Sequence, residues 1–175
     1  MAGSLVKIDE EIVTSAVASV TLGGTDWDSS YDVYMVRLNN VLPDTDATSL
    51  FSRVTIGGTA DTTANYDRAS KGLRSNTTFS NFSATNDNEF DLGGFGTGGN
   101  ESANGILYCF NFNSTTEYAF ITYEISGITS AANMLGLQGG GVFTSTGTAR
   151  DGLQFFFSSG NIDTGSSFVL YGLKK

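Results

Sequence analysis

A period of two runs through most of this chain, and it sets the first limit on the fold. Apolar and polar residues alternate in segment after segment, whereas the three- and four-residue spacing of an amphipathic helix is hard to find. Ala16, Ala18, Val20 and Leu22 alternate with Ser15, Ser19 and Thr21. Tyr34, Val36 and Leu38 share one strand face; Leu50, Val54 and Ile56 share another beyond the turn at Leu42-Pro43-Asp44. Pro43, the chain's single proline, suits the second position of a turn and would be poor inside a central strand. Further strands are expected at 105–112, 118–125, 152–159 and 166–173, with a weaker one over Met134–Phe143. The 22 glycines supply many tight turns, and 175 residues suffice for one domain with its own core. The expected architecture is all-β: an antiparallel sandwich, jelly-roll-like, of about eight strands, in a single domain over 1–175.

Two features depart from that simple pattern. Residues 76–104 read as one long polar insertion, punctuated by Phe79, Phe82, Phe90, Leu92 and Phe95. Those five large apolar residues favour an ordered loop, pinned on the body or on a neighbouring chain, over a solvated one. Several strands are also apolar on both faces. In 105–112, Ile106, Tyr108, Phe110 and Phe112 oppose Leu107 and Cys109; in 153–157, Phe156 opposes its neighbours; in 168–173, Val169 and Tyr171 oppose Phe168 and Leu170. A lone sandwich carries polar outer faces, so a second apolar face implies a cover. The residues expected at such an interface are Phe90 and Phe95 from the insertion, with Leu107, Phe156, Val169 and Tyr171 from the strands.

The residue inventory removes much chemistry. Without histidine there is no Ser-His-Asp or Cys-His machinery and no histidine zinc site. One cysteine, Cys109, excludes an intrachain disulfide and a thiolate cluster. Gly94, Gly96 and Gly99 match G-x-G-x-x-G, but no helix follows to receive a phosphate. Glu117 and Glu124 are an odd number of residues apart, which puts them on opposite faces of one strand. Asp26, Asp28 and Asp32, and the run Asn86–Asp91, offer oxygen ligands without the spacing of a calcium loop. No cofactor or metal is therefore expected. A formal charge of −9 with scattered arginines argues against nucleic acid as a partner. No stretch has the length of a membrane span, and Asp9, Glu10 and Glu11 stand where a signal peptide needs apolar residues. Folding in a cytoplasm is the expectation.

The run "SSYDVYMVRLNNVLP", the strand "LFSRVTIGGT", the "ANYD" beyond it and the closing "TGSSFVLYGLKK", with "SLVKI" at the start, resemble small virion structural proteins of tailed bacteriophages of marine and cyanobacterial type. The resemblance spans most of the length, is weakest over 71–104, and carries no catalytic motif. It implies a non-enzymatic β-sandwich, assembled in the host cytoplasm and located in the virion. Such a protein associates with itself, with a trimer preferred here, and docks on a major capsid or tail protein. Capsid decoration or cement is favoured over a fibre, because the chain has no heptad segment. The rivals are a carbohydrate-binding module or host-receptor domain, with Trp27 and Tyr31 as glycan contacts, and a glycosidase-like sandwich using paired acids.

Overall fold

The computed structural model describes residues 4–76 and 79–173. Its strands in chain order are β1 (Leu5–Ile12), β2 (Val20–Gly23), β3 (Val33–Val41), β4 (Thr48–Ile56), β5 (Thr59–Ala60), β6 (Tyr66–Arg74), β7 (Ser80–Asp87), β8 (Phe90–Phe95), β9 (Ala103–Phe110), β10 (Ala119–Ile128), β11 (Met134–Phe143), β12 (Gly152–Phe157) and β13 (Ser167–Leu173). A single 3-10 turn, Gly24–Asp26, is the one helical element among the described residues. The larger sheet has the order β1-β13-β3-β9-β10-β11-β6-β7. The smaller has β2-β12-β4-β5, with β8 also paired to β4.

The pairings follow one rule. β1 pairs with β13, β2 with β12, β3 with β9 and β4 with β8, all antiparallel, so the chain runs as one long hairpin. Rolling that hairpin brings β13 onto β3 and β12 onto β4. The result is a jelly roll, with β1-β13-β3-β9 packed on β2-β12-β4-β8, as the alternation led one to expect. Two insertions enlarge it. One, β5–β7, lies between β4 and β8; the other, β10–β11, lies between β9 and β12. They meet where β11 pairs with β6, and so extend the larger sheet beyond β9 as a four-stranded wing.

Alternation dictates the core. In β10, Ala119, Ile121, Tyr123 and Ile125 are buried, while Phe120, Thr122, Glu124 and Ser126 are exposed. Between the sheets Phe155 meets Phe168 at 5.2 Å. Under the wing Tyr66 packs on Phe90 and on Phe143, each at 4.9 Å. Each such ring contributes about 1.5–3 kcal/mol through burial. The Tyr66 hydroxyl donates to the Asp61 carbonyl and accepts from the Val54 N–H, which ties the insertion to β4.

The segment 76–104 is not a loop. It contains β7, β8 and the start of β9, and its Phe90, Leu92 and Phe95 are core residues at 0–1% exposure. Phe90 and Leu92 alternate inward around Asp91. A bulge opposite Ser49–Phe51, with Gly93 at φ 104°, then shifts the phase so that Phe95 also points inward. β7 is polar because it is an edge strand held by the β6 ladder, with Phe82 packed over Gly72. At the other end of the chain only the last residues of the alternating 15–22 segment join a sheet, in β2 (Val20–Gly23). Upstream, Val17 makes an isolated bridge to Ile162. The charged segment Leu5–Ile12 is itself a strand, at the opposite edge of the larger sheet, where charge guards against stray pairing.

Candidate functional site

Strand register arranges the outward residues of the larger sheet in rows. One row reads Tyr171, Met35, Tyr108, Thr122, Gly140 and Ala69 across successive strands. A second reads Val33, Phe110, Phe120 and Val142. A third reads Val169, Arg37, Ile106, Glu124, Gln138 and Lys71. At their centre Ile106 is 38% exposed, Tyr108 41% and Phe120 43%. Half-buried Val33, Phe110 and Val142 adjoin them. This is a contiguous apolar surface on a side of an antiparallel sheet that is ordinarily polar.

The glycines of β11 shape this surface. Outward Gly136 and Gly140 leave depressions of about 510 Å³ and 570 Å³. Between them Gln138 stands up and donates from Nε2 to Glu124 Oε1 at 2.7 Å. Inward Gly141 has a packing reason, because a Cβ there would lie 2.5 Å from the Phe90 ring.

The structure disperses the residues expected at an interface. Phe90, Phe95 and Leu107 are enclosed by the chain's own core, so they are not contact residues. The reason is phase: in β9 the Leu107 and Cys109 face turns inward, which leaves Ile106 and Tyr108 outside. Val169 lies on the outer row yet is fully buried there. Tyr171 alone among the six is both on that face and partly open. Phe156 lies on the outer side of the smaller sheet, edge to face with Phe51 at 5.6 Å. The Arg53 guanidinium sits 4.5 Å above its ring and donates to Glu89 Oε2 at 2.8 Å and to the Asn88 carbonyl at 3.1 Å.

Trp27 is 4% exposed, stacked on Tyr34 at 4.2 Å and close to Phe112 at 5.0 Å. It presents no ring face to a sugar, which corrects its expected role as a glycan platform. Tyr31 is half-buried, edge-on to Tyr34, with its ring over Gly172. The fold closes here because the Tyr34 hydroxyl and Asn113 Nδ2 both donate to the Asp28 carbonyl.

The chemistry-bearing groups are engaged locally. Asp28 accepts from the Ser30 N–H at 2.8 Å, and these hydrogen bonds hold its carboxyl below the usual value. In the glycine-rich segment Glu101 Oε2 accepts from the Gly98 N–H at 2.7 Å, so the chain's own carboxylate occupies the loop. Burial pushes the Cys109 thiol up. Glu117 lies ahead of β10 and Glu124 on its outer face. Among the described residues no group of three or more His, Cys, Asp or Glu could hold a metal ion, and no helix is long and apolar enough to cross a membrane. A cavity of about 220 Å³ lies between the wing and β8, walled by Leu135, Phe82 and Arg74 and bounded by an Arg68–Asp91 pair at 3.5 Å. The neighbouring Arg68 Nε is enclosed without a hydrogen-bond partner, and the Ser70 and Tyr123 hydroxyls are enclosed beside each other. Burial is also the main cause pushing the Tyr123 phenol up.

Sequence reasoning also passed over Arg150. It is 0% exposed, and its guanidinium donates to the carbonyls of Asn111 (2.8 Å), Glu117 (3.0 Å) and Thr148 (3.1 Å). It pins the β9–β10 and β11–β12 connections together, and no local pattern marks it. No family model matches the chain, and neither a curated protein nor a solved structure matches it. Fold and surface therefore define a class: an extended jelly roll with an open apolar sheet face.

Proposed function

We propose that the chain is a non-enzymatic structural protein of a tailed-phage virion, assembling through the outer face of its larger sheet. The open surface around Ile106, Tyr108 and Phe120 carries the assembly reading. The runs at 29–43 and 164–175 support the virion reading through their resemblance to such proteins. Covering three half-exposed large apolar side chains gains on the order of 2–5 kcal/mol. Association costs at least as much. The face therefore works within a symmetric or repeated contact, such as a particle provides, with a capsid or tail protein as the second partner. The glycan-binding alternative loses the platform on which it rested, since Trp27 is enclosed.

Hydroxyl-radical footprinting tests the proposal. Tyr108 and Met134 are labelled in the free protein and in purified particles that contain it. Protection of Tyr108 in particles is the expected outcome; equal labelling in both states refutes assembly through this face.

A further inference from the structure

The outer face carries charges of alternating sign. Along one register row the residues are Glu10, Val169, Arg37, Ile106, Glu124, Gln138 and Lys71, on strands β1, β13, β3, β9, β10, β11 and β6. The charges read negative, positive, negative, positive, each separated by one uncharged residue. Within one chain Arg37 and Glu124 flank Ile106, two strand spacings or about 9.6 Å apart. Both side chains are exposed.

We infer that the occupant of this face is a second copy of the chain, packed face to face about a two-fold axis that runs along β9. This rests on the reading of the face as an assembly surface. Such an axis keeps each row in place and exchanges the strands on either side of β9. Arg37 then lies opposite Glu124 of the partner subunit, and Glu124 opposite the partner subunit's Arg37, as an isologous contact requires. An axis along β3 would oppose Arg37 to itself and Glu10 to Glu124. An axis along β10 would oppose Glu124 to itself and Arg37 to Lys71. Both place like charges together, which disfavours them.

Shape and apolarity agree with the β9 axis. Ile106 and Tyr108, the open centre of the face, meet their own equivalents across it. Val33 lies opposite Phe120 of the partner subunit in the adjoining row. Tyr171, two strands from the axis, lies opposite the depression at Gly140 of the partner subunit, two strands away on the other side. Stacked sheets cross at about 30°, which moves distant rows out of register. Glu10 is moreover already paired with the cation Lys7 at 2.8 Å, whereas the partner of Glu124 within the chain, Gln138, is uncharged. The Arg37–Glu124 contact, one strand from the axis, therefore carries the specificity. A two-fold contact replaces the three-fold one expected from the sequence.

Sedimentation of the full chain up to about 100 µM, with Arg37→Glu, Glu124→Arg and the double exchange, tests this. The native chain is expected to dimerise. Each single reversal weakens the dimer about tenfold or more, because each is felt twice across the axis, and the double exchange restores it to within about threefold. Circular dichroism melts check that all variants are folded. A native chain that stays monomeric, or a double exchange as weak as the sum of the singles, overturns the inference. Protection of Tyr108 in particles alongside either of those results would leave the assembly reading standing with a different partner. Unprotected Tyr108 would remove the assembly reading whatever the sedimentation shows.

Discussion

On the smaller sheet the outward ring of Phe51 meets Phe156 edge to face, and Phe156 lies under the guanidinium of Arg53, which Glu89 and the Asn88 carbonyl hold in place. On the larger sheet Ile106, Tyr108 and Phe120 stand at 38–43% exposure. Both faces put aromatic residues at outward strand positions, and the difference lies in what reaches over them. The roof on the smaller sheet is Arg53 of β4 itself, held in place by the β7–β8 connection that the first insertion delivers beside β4. On the larger sheet the wing continues the same hydrogen-bonded sheet, and its outward glycines hollow the surface. An outward aromatic residue thus calls for a partner only where the chain itself has not supplied a cover.

The sharpest test removes a ring that was expected at a surface and is enclosed. Phe90→Ala should cost about 3–5 kcal/mol in chemical denaturation, as for a core phenylalanine, since Phe90 is 0% exposed under Gly141. A cost below about 1 kcal/mol would return Phe90 to a surface. Arg150 is the fully buried counterpart of the Arg53 roof. Arg150→Ala should lose about 2–4 kcal/mol by leaving several carbonyls without a donor. Lysine should recover little of this, because an ammonium lacks the planar fork. Equal stability of the lysine variant would show that charge alone suffices there.

Smaller effects separate the two faces directly. Arg53→Ala should cost about 1 kcal/mol and raise dye binding, because it uncovers Phe156. Unchanged dye binding would mean that the roof does not matter. Tyr108→Ser should change monomer stability by no more than about 0.5 kcal/mol while reducing association. A large loss of monomer stability would contradict the open face. The smallest effect concerns neither face. Asp44 accepts from the Asn161 N–H at 2.7 Å and from Asn161 Nδ2 at 2.8 Å, and these bonds hold its carboxyl below the ordinary value. The folded value is the lower one, so the contribution is complete above the unfolded value, about pH 4, and disappears as pH falls from there through the folded value. Melting of Asp44→Asn across that range should therefore show a shallower acid slope than the native chain; parallel slopes would argue that Asp44 is not linked to folding.

Legibility in the sequence followed burial. β3, β4 and β9–β13 stand out because burial against the other sheet fills one face of each with apolar residues; in β10 this gives alternation, whereas β9, β12 and β13 are apolar on both faces. β7 at one edge of the larger sheet and β1 at the other are polar or charged, as edges must be, and their composition looks like loop. β8 is short, and its bulge at Gly93 breaks the period that would have revealed it. Arg150 was invisible for another reason: its partners are backbone carbonyls from two distant connections, and carbonyls leave no trace in residue type.

The residue order alone settled that Ile106 and Tyr108 lie on one face of β9 and Leu107 and Cys109 on the other, since successive side chains in a strand point to opposite sides. Both pairs are apolar, so hydrophobicity could not say which of them turns inward. That was decided by the tertiary structure. β9 is held between β3 and β10, whose own inward residues, Val36 and Ile121 among them, face the smaller sheet, and register then carries Leu107 and Cys109 inward with them. Ile106 and Tyr108 are left outside because a sheet has one inside, and it is set by the neighbours with which the strand shares its hydrogen bonds.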